Sequence, residues 1–243
     1  MSNMKLREYS AELSRETLLN DATSIIDSIP SWHQGKTFYK STGHVTYSKH
    51  SEINGDFWCS RQTELENIHL DRLRKCIIGT TETGFTHSDY EPRYVHEISK
   101  MEVANFKNYA DGWSYTIHAE YSFGFPLSIR TFNELIHIYV DPNKQWALVV
   151  SVPIKDKLDP KTVLGKYVSV EELKWSDNKA NWLVATTSTA GGNIPDWATK
   201  WSLAGALAKD VPNVIELLDK EEYFDTIDTI DTIDTIDTIE RSE

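Results

Sequence analysis

Apolar residues near the start of the chain recur at roughly helical spacing. Over residues 4–29 this spacing predicts one helix or two short ones, and Pro30 closes the segment. The positions that define the spacing are Leu6, Tyr9, Leu13, Leu18, Ile25 and Ile26. We therefore interpret residues 1–29 as an N-terminal helical segment that precedes the main domain.

Strand-like patterns dominate the middle of the chain. Residues 35–51 and 55–65 are rich in aromatic and β-branched residues, and Asn54-Gly55 between them is typical of a hairpin turn. Residues 70–78 favour a short helix. Three later strands are predicted at residues 146–153, 163–175 and 181–189.

The clearest alternation of apolar and polar residues lies at residues 113–140. Alternation predicts a first strand whose apolar face carries Trp113, Tyr115, Ile117, Ala119, Tyr121 and Phe123. The next strand continues the pattern with Phe132, Ile136, Ile138 and Val140, and Glu134 is the only charge on that apolar face. A helix, several antiparallel strands and a final long helix predict an α+β fold with a curved antiparallel sheet.

The final helix, predicted between Asn193 and Leu218, has an uneven apolar stripe. Its members are Ile194, Trp197, Trp201, Ala204, Ala208, Val211, Ile215 and Leu218. Because protein interiors are close-packed, the small Ala-Gly-Ala centre favours either a helix backbone lying close to the sheet or a cavity beneath the helix. Pro212 removes a helical hydrogen bond, so we expect a kink or a break there.

The negative charge of the chain is concentrated at its C-terminal end. The formal net charge is −12, and residues 219–243 hold ten acidic and two basic residues, so this segment carries −8 and residues 1–218 carry −4. A nearly balanced domain has no basic surface for nucleic acid, which we do not expect as a partner. Two cysteines and no apolar run of about 20 residues predict a soluble, cytoplasmic protein.

A triplet repeat fills the end of the chain. From Asp225 the triplet Asp-Thr-Ile occurs five times, and a period of three matches neither a helix nor a strand. We predict that residues 223–243 form a disordered acidic tail. An acidic docking tail is the alternative interpretation.

Sequence motifs for catalysis or metal binding are missing. The eight histidines include no pair at the i, i+4 spacing of a helical zinc site, and the chain has no Gly-x-Ser-x-Gly motif. We therefore predict no metal, no cofactor and no catalytic residue.

Five motifs occur in an order that resembles a known family. "PLSIRTF", "VVSVPI", "GKYVSVEEL", "WLVATTSTAGGNIPDW" and "LAKDVPNVIELL" are similar to the START-like domain of the helix-grip superfamily, and more specifically to a fungal START-like family of uncharacterised function. The resemblance covers most of residues 30–220. It implies a domain over residues 30–222 in which a curved sheet wraps around the long C-terminal helix.

The same resemblance implies a hydrophobic tunnel between sheet and helix for a lipid, sterol or similar ligand. We expect Glu134 to orient the ligand with Arg130 as a partner; alternatively, Glu134 turns outward at a bulge or pairs with Arg130 structurally. Trp197 and Trp201 are expected to contact ligand or a membrane, or to pack in the core. The expected lining is Trp113, Tyr115, Tyr121, Arg130, Phe132, Glu134, Ile136, Trp197, Trp201, Ala204 and Ala208.

Two function classes follow from this interpretation. The first is a non-catalytic protein that binds a hydrophobic ligand. In an extended version of this hypothesis, the protein also transfers the ligand within the cell through transient membrane contact. The second is a cyclase-like or hydrolase-like enzyme on the same fold, with Glu134 or His118 as general acid or base. Because the sequence pairs no acid and base on one strand face, it favours binding.

Deleting residues 225–243 is expected to leave the melting temperature and ligand affinity unchanged. Isoleucine at every third position forms no continuous face that could pack on the domain. Thermal unfolding of the full chain and the truncated chain, measured side by side, checks this. A drop of several degrees on truncation would show that the tail docks.

Overall fold

The computed structural model describes residues 2–41, 43–156 and 160–220 together with Phe224. The helices are α1 (Arg15–Ser28), α2 (Leu70–Ile78), α3 (His87–Tyr94) and α4 (Asp196–Leu218). The acidic tail predicted for residues 223–243 lies outside the described residues, apart from Phe224.

One large sheet forms the centre of the molecule. Its neighbouring strands are antiparallel in the order β1-β2-β3-β10-β9-β7-β6-β5-β4, and the short β8 pairs in parallel with β6. The α+β arrangement predicted from the sequence is confirmed. The strands are β1 (His33–Phe38), β2 (Thr46–Ile53), β3 (Asp56–Glu66), β4 (Ile98–Tyr109), β5 (Gly112–Tyr121), β6 (Arg130–Asp141), β7 (Trp146–Pro153), β8 (Val163–Leu164), β9 (Lys166–Ser176) and β10 (Lys179–Thr189).

Helices cover both faces of this sheet. On the inner face, α2, α3 and α4 pack against apolar residues such as Tyr115, Ile136 and Trp182. On the outer face, α1 and the segment before it pack against Val150 and Val168. Strand β6 is consequently buried on both of its faces, which the sequence pattern of one apolar and one polar face did not predict.

The N-terminal segment is helical only in its second half. Helix α1 begins after Ser14, whose hydroxyl accepts a hydrogen bond from the Thr17 backbone N–H at 3.4 Å. Before it, the Leu6 N–H donates to a carboxylate oxygen of Asp56 at 2.6 Å, and the Tyr9 N–H donates to the Pro153 carbonyl at 2.7 Å. These strand partners hold residues 4–13 out of the helix that their apolar spacing predicted.

Local signals in the sequence predict some elements and miss others. The turn between β2 and β3 is the expected hairpin, with φ of 55° at Asn54 and 87° at Gly55. Helix α3 was not predicted, although Thr86 and Asp89 form a capping box at its start. Of the kink or break expected at Pro212, the break does not occur, because α4 continues through Pro212 to Leu218. None of the described helices is both long and apolar enough to cross a membrane.

Replacing Leu18 by alanine is expected to lower the free energy of unfolding by about 2–5 kcal/mol. Leu18 is 1% exposed between α1 and the outer face of the sheet, so the change leaves a cavity there. Leu19→Ala, at the neighbouring and only partly buried position, is the matched control and should cost clearly less. Urea unfolding of both variants measures the difference; equal losses would mean that α1 is not anchored through this face.

Candidate functional site

A groove of about 540 Å³ lies between the first half of α4 and strands β1 to β3. Its aromatic residues are Phe38, Phe57, Trp197 and Trp201. The two tryptophan rings contact each other edge to face, with centroids 6.3 Å apart, and the residues are 64% and 82% exposed. The groove is therefore an open, aromatic-walled space of the size that small-molecule sites usually have.

The small residues of α4 explain why the groove exists. Ala204 and Gly205 line it, and a Cβ added to Gly205 would meet no atom within 4 Å. One turn later Ala208 is fully buried. The sequence predicted either a cavity beside α4 or a close approach of α4 to the sheet. Both occur in successive turns of the helix, the open space at Ala204 and Gly205 and the close approach at Ala208. Gly191 and Gly192, with φ of 65° and 62°, redirect the chain from β10 into this helix.

A buried arginine attaches α4 to the sheet where the groove ends. The Arg61 side chain on β3 donates from Nε to the Leu207 carbonyl of α4 at 3.0 Å. Its guanidinium carbon lies 3.6 Å from the centroid of the Trp182 ring, a close cation–π contact. Burial lowers the Arg61 pKa, and the opposing influences of Asp210 and Glu171 favour its charged form.

Several carboxyl groups surround this arginine on the inner face. The Trp182 indole N–H donates to Glu171 at 2.5 Å, and the other Glu171 oxygen lies 3.7 Å from Nε2 of His87. Burial raises the pKa of Glu91 to about 6 and that of Asp210 to about 7. Within the described chain, no group of three His, Cys, Asp or Glu side chains is arranged to hold a metal ion.

Glu134 is the most deeply buried acid of the inner face. It is 0% exposed, and neither carboxyl oxygen has a hydrogen-bond partner among the described residues. Burial raises its pKa well above the usual value, which favours the neutral acid. The Arg130 guanidinium donates instead to the backbone carbonyls of Ser128 and Ala190. Glu134 thus neither turns outward nor pairs with Arg130 in this conformation.

The structure separates the predicted lining into two groups. Trp197, Trp201 and Ala204 line the groove, whereas Ala208 packs where α4 meets the sheet. The predicted sheet residues lie beyond the groove, on the strands at the other side of α4. On these strands Trp113, Tyr115 and Ile136 are buried in the inner core, and Phe132 lies between Tyr121 and Tyr167, with ring centroids 5.0 and 5.6 Å away.

The two general acid–base candidates lie on opposite faces of the sheet. Ile117 of β5 is paired with Glu134, and His118 is paired with Asn133. His118 Nδ1 lies 2.8 Å from the Asn133 side-chain oxygen, so its hydrogen bond is formed on the outer face. No reacting atom could contact His118 and Glu134 together.

The sequence did not predict the residues of β1 to β3 that line the groove. Phe38, Phe57 and Cys59 line the groove from the sheet, and Arg61 forms the attachment to α4. Strand alternation could have placed Phe57, Cys59 and Arg61 on one face, but it does not reveal which face α4 covers. That information comes from the pairing of β3 with β10.

Loop residues 122–129 expose apolar side chains beside the start of α4. The loop lies next to β8, because the Val163 N–H donates to the Ile129 carbonyl at 3.0 Å. The hydrogen bond from Arg130 to the Ala190 carbonyl brings the C-terminal end of the loop close to residues 190–192, which precede α4. The exposed apolar residues of this loop are Phe123, Phe125, Leu127 and Ile129.

Comparison with known proteins identifies the fold and a family match. The family model described as "Protein of unknown function (DUF3074)" matches residues 58–218. No curated protein matches the chain. The predicted relation to a fungal family stays a prediction.

Solved structures of START domains are similar to this chain. Human STARD10 is 8% identical, with 90% of this chain and 86% of that chain covered and a TM-score of 0.63. Human StAR-related lipid transfer protein 5 is 10% identical, with 85% and 98% covered and a TM-score of 0.61. The STAR-related lipid transfer protein from Xanthomonas axonopodis is 12% identical, with 78% and 99% covered and a TM-score of 0.60. At these identities the likeness shows the fold, and the predicted helix-grip fold is confirmed.

Folding stability should depend on pH through Asp210 and Glu91, two acids whose pKa is raised by burial. The pKa of Asp210 is raised from 3.8 to about 7 and that of Glu91 from 4.5 to about 6, so the folded protein holds these protons more tightly than the unfolded chain. Their contribution to stability is complete below about pH 4 and is lost as the pH rises towards 7.

Asp210→Asn removes one of these groups and tests this dependence. The free energy of unfolding of the variant, relative to the original chain, should rise by on the order of 3 kcal/mol between pH 4 and pH 7. Asp177→Asn, in the exposed turn between β9 and β10, is the control and should show no such change. Urea unfolding at several pH values gives the profiles, and parallel profiles for Asp210→Asn and the original chain would refute the dependence.

Proposed function

From the premise that the chain belongs to the family described as "Protein of unknown function (DUF3074)" and has a START fold, we propose that it binds a lipid, sterol or similar hydrophobic ligand without catalysing a reaction. The observation that carries the proposal is the 540 Å³ groove between α4 and β1 to β3. Three residues that the sequence assigned to ligand binding line it, namely Trp197, Trp201 and Ala204.

The energetics of this groove are adequate for binding an apolar molecule. Each methylene withdrawn from water contributes about 0.8 kcal/mol, so ten of them contribute on the order of 8 kcal/mol before the association entropy is subtracted. Trp197 and Trp201 leave most of their surface in water. A ligand between these rings and Phe57 would cover apolar surface on both sides, which is typical of a binding patch.

The available reactive groups support binding over the enzymatic alternative. Glu134 and His118 lie on opposite faces of the sheet, as described above. Among the nucleophilic side chains that line the groove is Cys59, and burial raises its pKa to about 12. A thiol with that pKa stays protonated at neutral pH and is a poor nucleophile.

Transient membrane contact is part of the proposal, because apolar side chains are exposed around one end of the sheet. Phe123, Phe125 and Leu127 in the loop, together with Trp197 and Trp201, are large apolar side chains that lie exposed to solvent. Aromatic side chains of this kind partition well into the membrane interface. A ligand could pass between membrane and groove at this end of the molecule.

Ala204→Trp should abolish binding of a fluorescent sterol or fatty-acyl methyl ester, because the added ring fills the groove. Ala206→Trp is the matched control, since Ala206 lies two residues away on the same helix and is exposed outside the groove lining. We expect one-site saturation in the original chain and in Ala206→Trp, and at least about a tenfold loss of affinity in Ala204→Trp.

Melting temperatures keep this experiment interpretable. Both variants should unfold within a few degrees of the original chain, because Ala204 and Ala206 are not in the close-packed part of α4. Undiminished probe binding by a folded Ala204→Trp variant would refute the groove as the binding site.

A further inference from the structure

The polar residues that line the groove are uniformly basic or neutral. Among the described lining residues are Lys36, Lys49, Lys200 and His50, and none of those described is acidic. This contrasts with the net charge of −12 of the whole chain. Cations are therefore concentrated at the groove against the overall charge, and a few such groups in an aromatic pocket define orientation and specificity.

The three lysines are not equivalent. The Lys49 ammonium already donates to the carbonyls of Ile29 and Pro30, at 3.3 and 3.0 Å. Lys200 lies over the Phe57 ring, with its Nζ 5.4 Å from the ring centroid, and Lys36 is on the exposed strand β1 opposite the helix. Lys36 and Lys200 are thus positioned on the two sides of the groove, one on the sheet and one on α4.

The walls between these lysines are aromatic. Phe57 stacks on His50, with ring centroids 5.8 Å apart, and Trp201 contacts Trp197 across the helix surface. An apolar body would lie against Phe57 and Trp201 while an anionic group met the ammonium groups at the rim. Long lysine side chains suit this role, because their stems pack on apolar surface while the charge stays in water.

We propose that the groove binds a free anionic amphiphile, an apolar chain or ring system that ends in a carboxylate or phosphate, and that Lys36 and Lys200 hold the anionic group. This rests on the proposed function, of which it names the ligand class. A monomeric ligand fits better than a lipid within a bilayer, because Lys36 and Lys200 flank a concave space and a flat surface of headgroups cannot enter it.

The inner face of the sheet has the opposite character. There Asp210 and Glu171 lie close enough to Arg61 to favour its charged form, and Glu91 adds a third carboxyl group beside them. An anionic group placed among them would meet repulsion in a poorly solvated environment. The anion is consequently directed to the lysine rim and away from the acids beneath α4.

The test compares one molecule in two charge states. A dodecanoic acid with a fluorophore at its far end and the methyl ester of the same molecule differ at the head by one charge. The original chain should bind the acid about tenfold more tightly, since each exposed ion pair contributes up to about fivefold. Lys36→Met/Lys200→Met should bring the two affinities together, mainly by weakening the acid.

Lys179→Met is the matched control for the loss of positive charge. Lys179 begins β10 at the far end of the sheet, paired with Glu66, whereas the groove residue Cys59 pairs with Thr186 seven residues along the strand, about 23 Å away. This variant should keep the preference for the acid. Raising the salt concentration should weaken the acid and not the ester, because screening acts on the charged head alone.

The outcomes separate this inference from the proposed function. If neither molecule binds, the proposed function fails; if the ester and acid bind the original chain equally, the proposed function stands and the anionic specificity is overturned. An acid preference that survives in Lys36→Met/Lys200→Met would also overturn it. Lysine-dependent capture by phosphatidylserine vesicles without binding of the free acid would assign the lysines to a membrane surface instead.

Discussion

The attachment of α4 to the sheet through Arg61 determines how the rest of the inner face is used. Its hydrogen bond to the Leu207 carbonyl and its contact with Trp182 fix the middle of the helix on β3 and β10. From Ala208 onwards the helix is packed against the core, and before Leu207 it borders open space. The hydrogen bond to Leu207, the aromatic face of Trp182 and the nearby charges of Asp210 and Glu171 offset part of the desolvation cost of this guanidinium.

This arrangement produces two chemically different environments on one sheet face. Beneath the packed half of α4, burial keeps Glu91 and Asp210 protonated more readily than in water. Beside the open half, lysine ammonium groups stand at a solvated rim above aromatic rings. The buried acids and the exposed cations contribute in different ways. The acids affect how firmly the helix is held, and the cations affect which ligands the groove attracts.

The sequence predicts the sheet, its hairpin at Asn54-Gly55 and the last helix, because alternation, turn chemistry and helical spacing are local signals. It fails for residues 4–13, whose helical spacing is overridden by hydrogen bonds to Asp56 and Pro153, residues distant in sequence. The same limit applies to the site. Trp201 and Ala204 could be identified as helix-face residues, but Phe57 and Arg61 become partners of α4 only through the pairing of β3 with β10.

The pairing of β3 with β10 also determines how late in translation β3 can acquire its second neighbouring strand. Glu66 of β3 pairs with Lys179 of β10, a separation of 113 residues. At a ribosomal rate of about 5–20 residues per second, β10 is synthesised roughly 6 to 23 seconds after β3. During that interval the free edge of β3 presents unpaired N–H and C=O groups and its two faces present Phe57 and Trp58, a template for association with other nascent chains. We therefore expect the yield of folded protein in a cell to depend in part on how well chaperones shield this edge during translation.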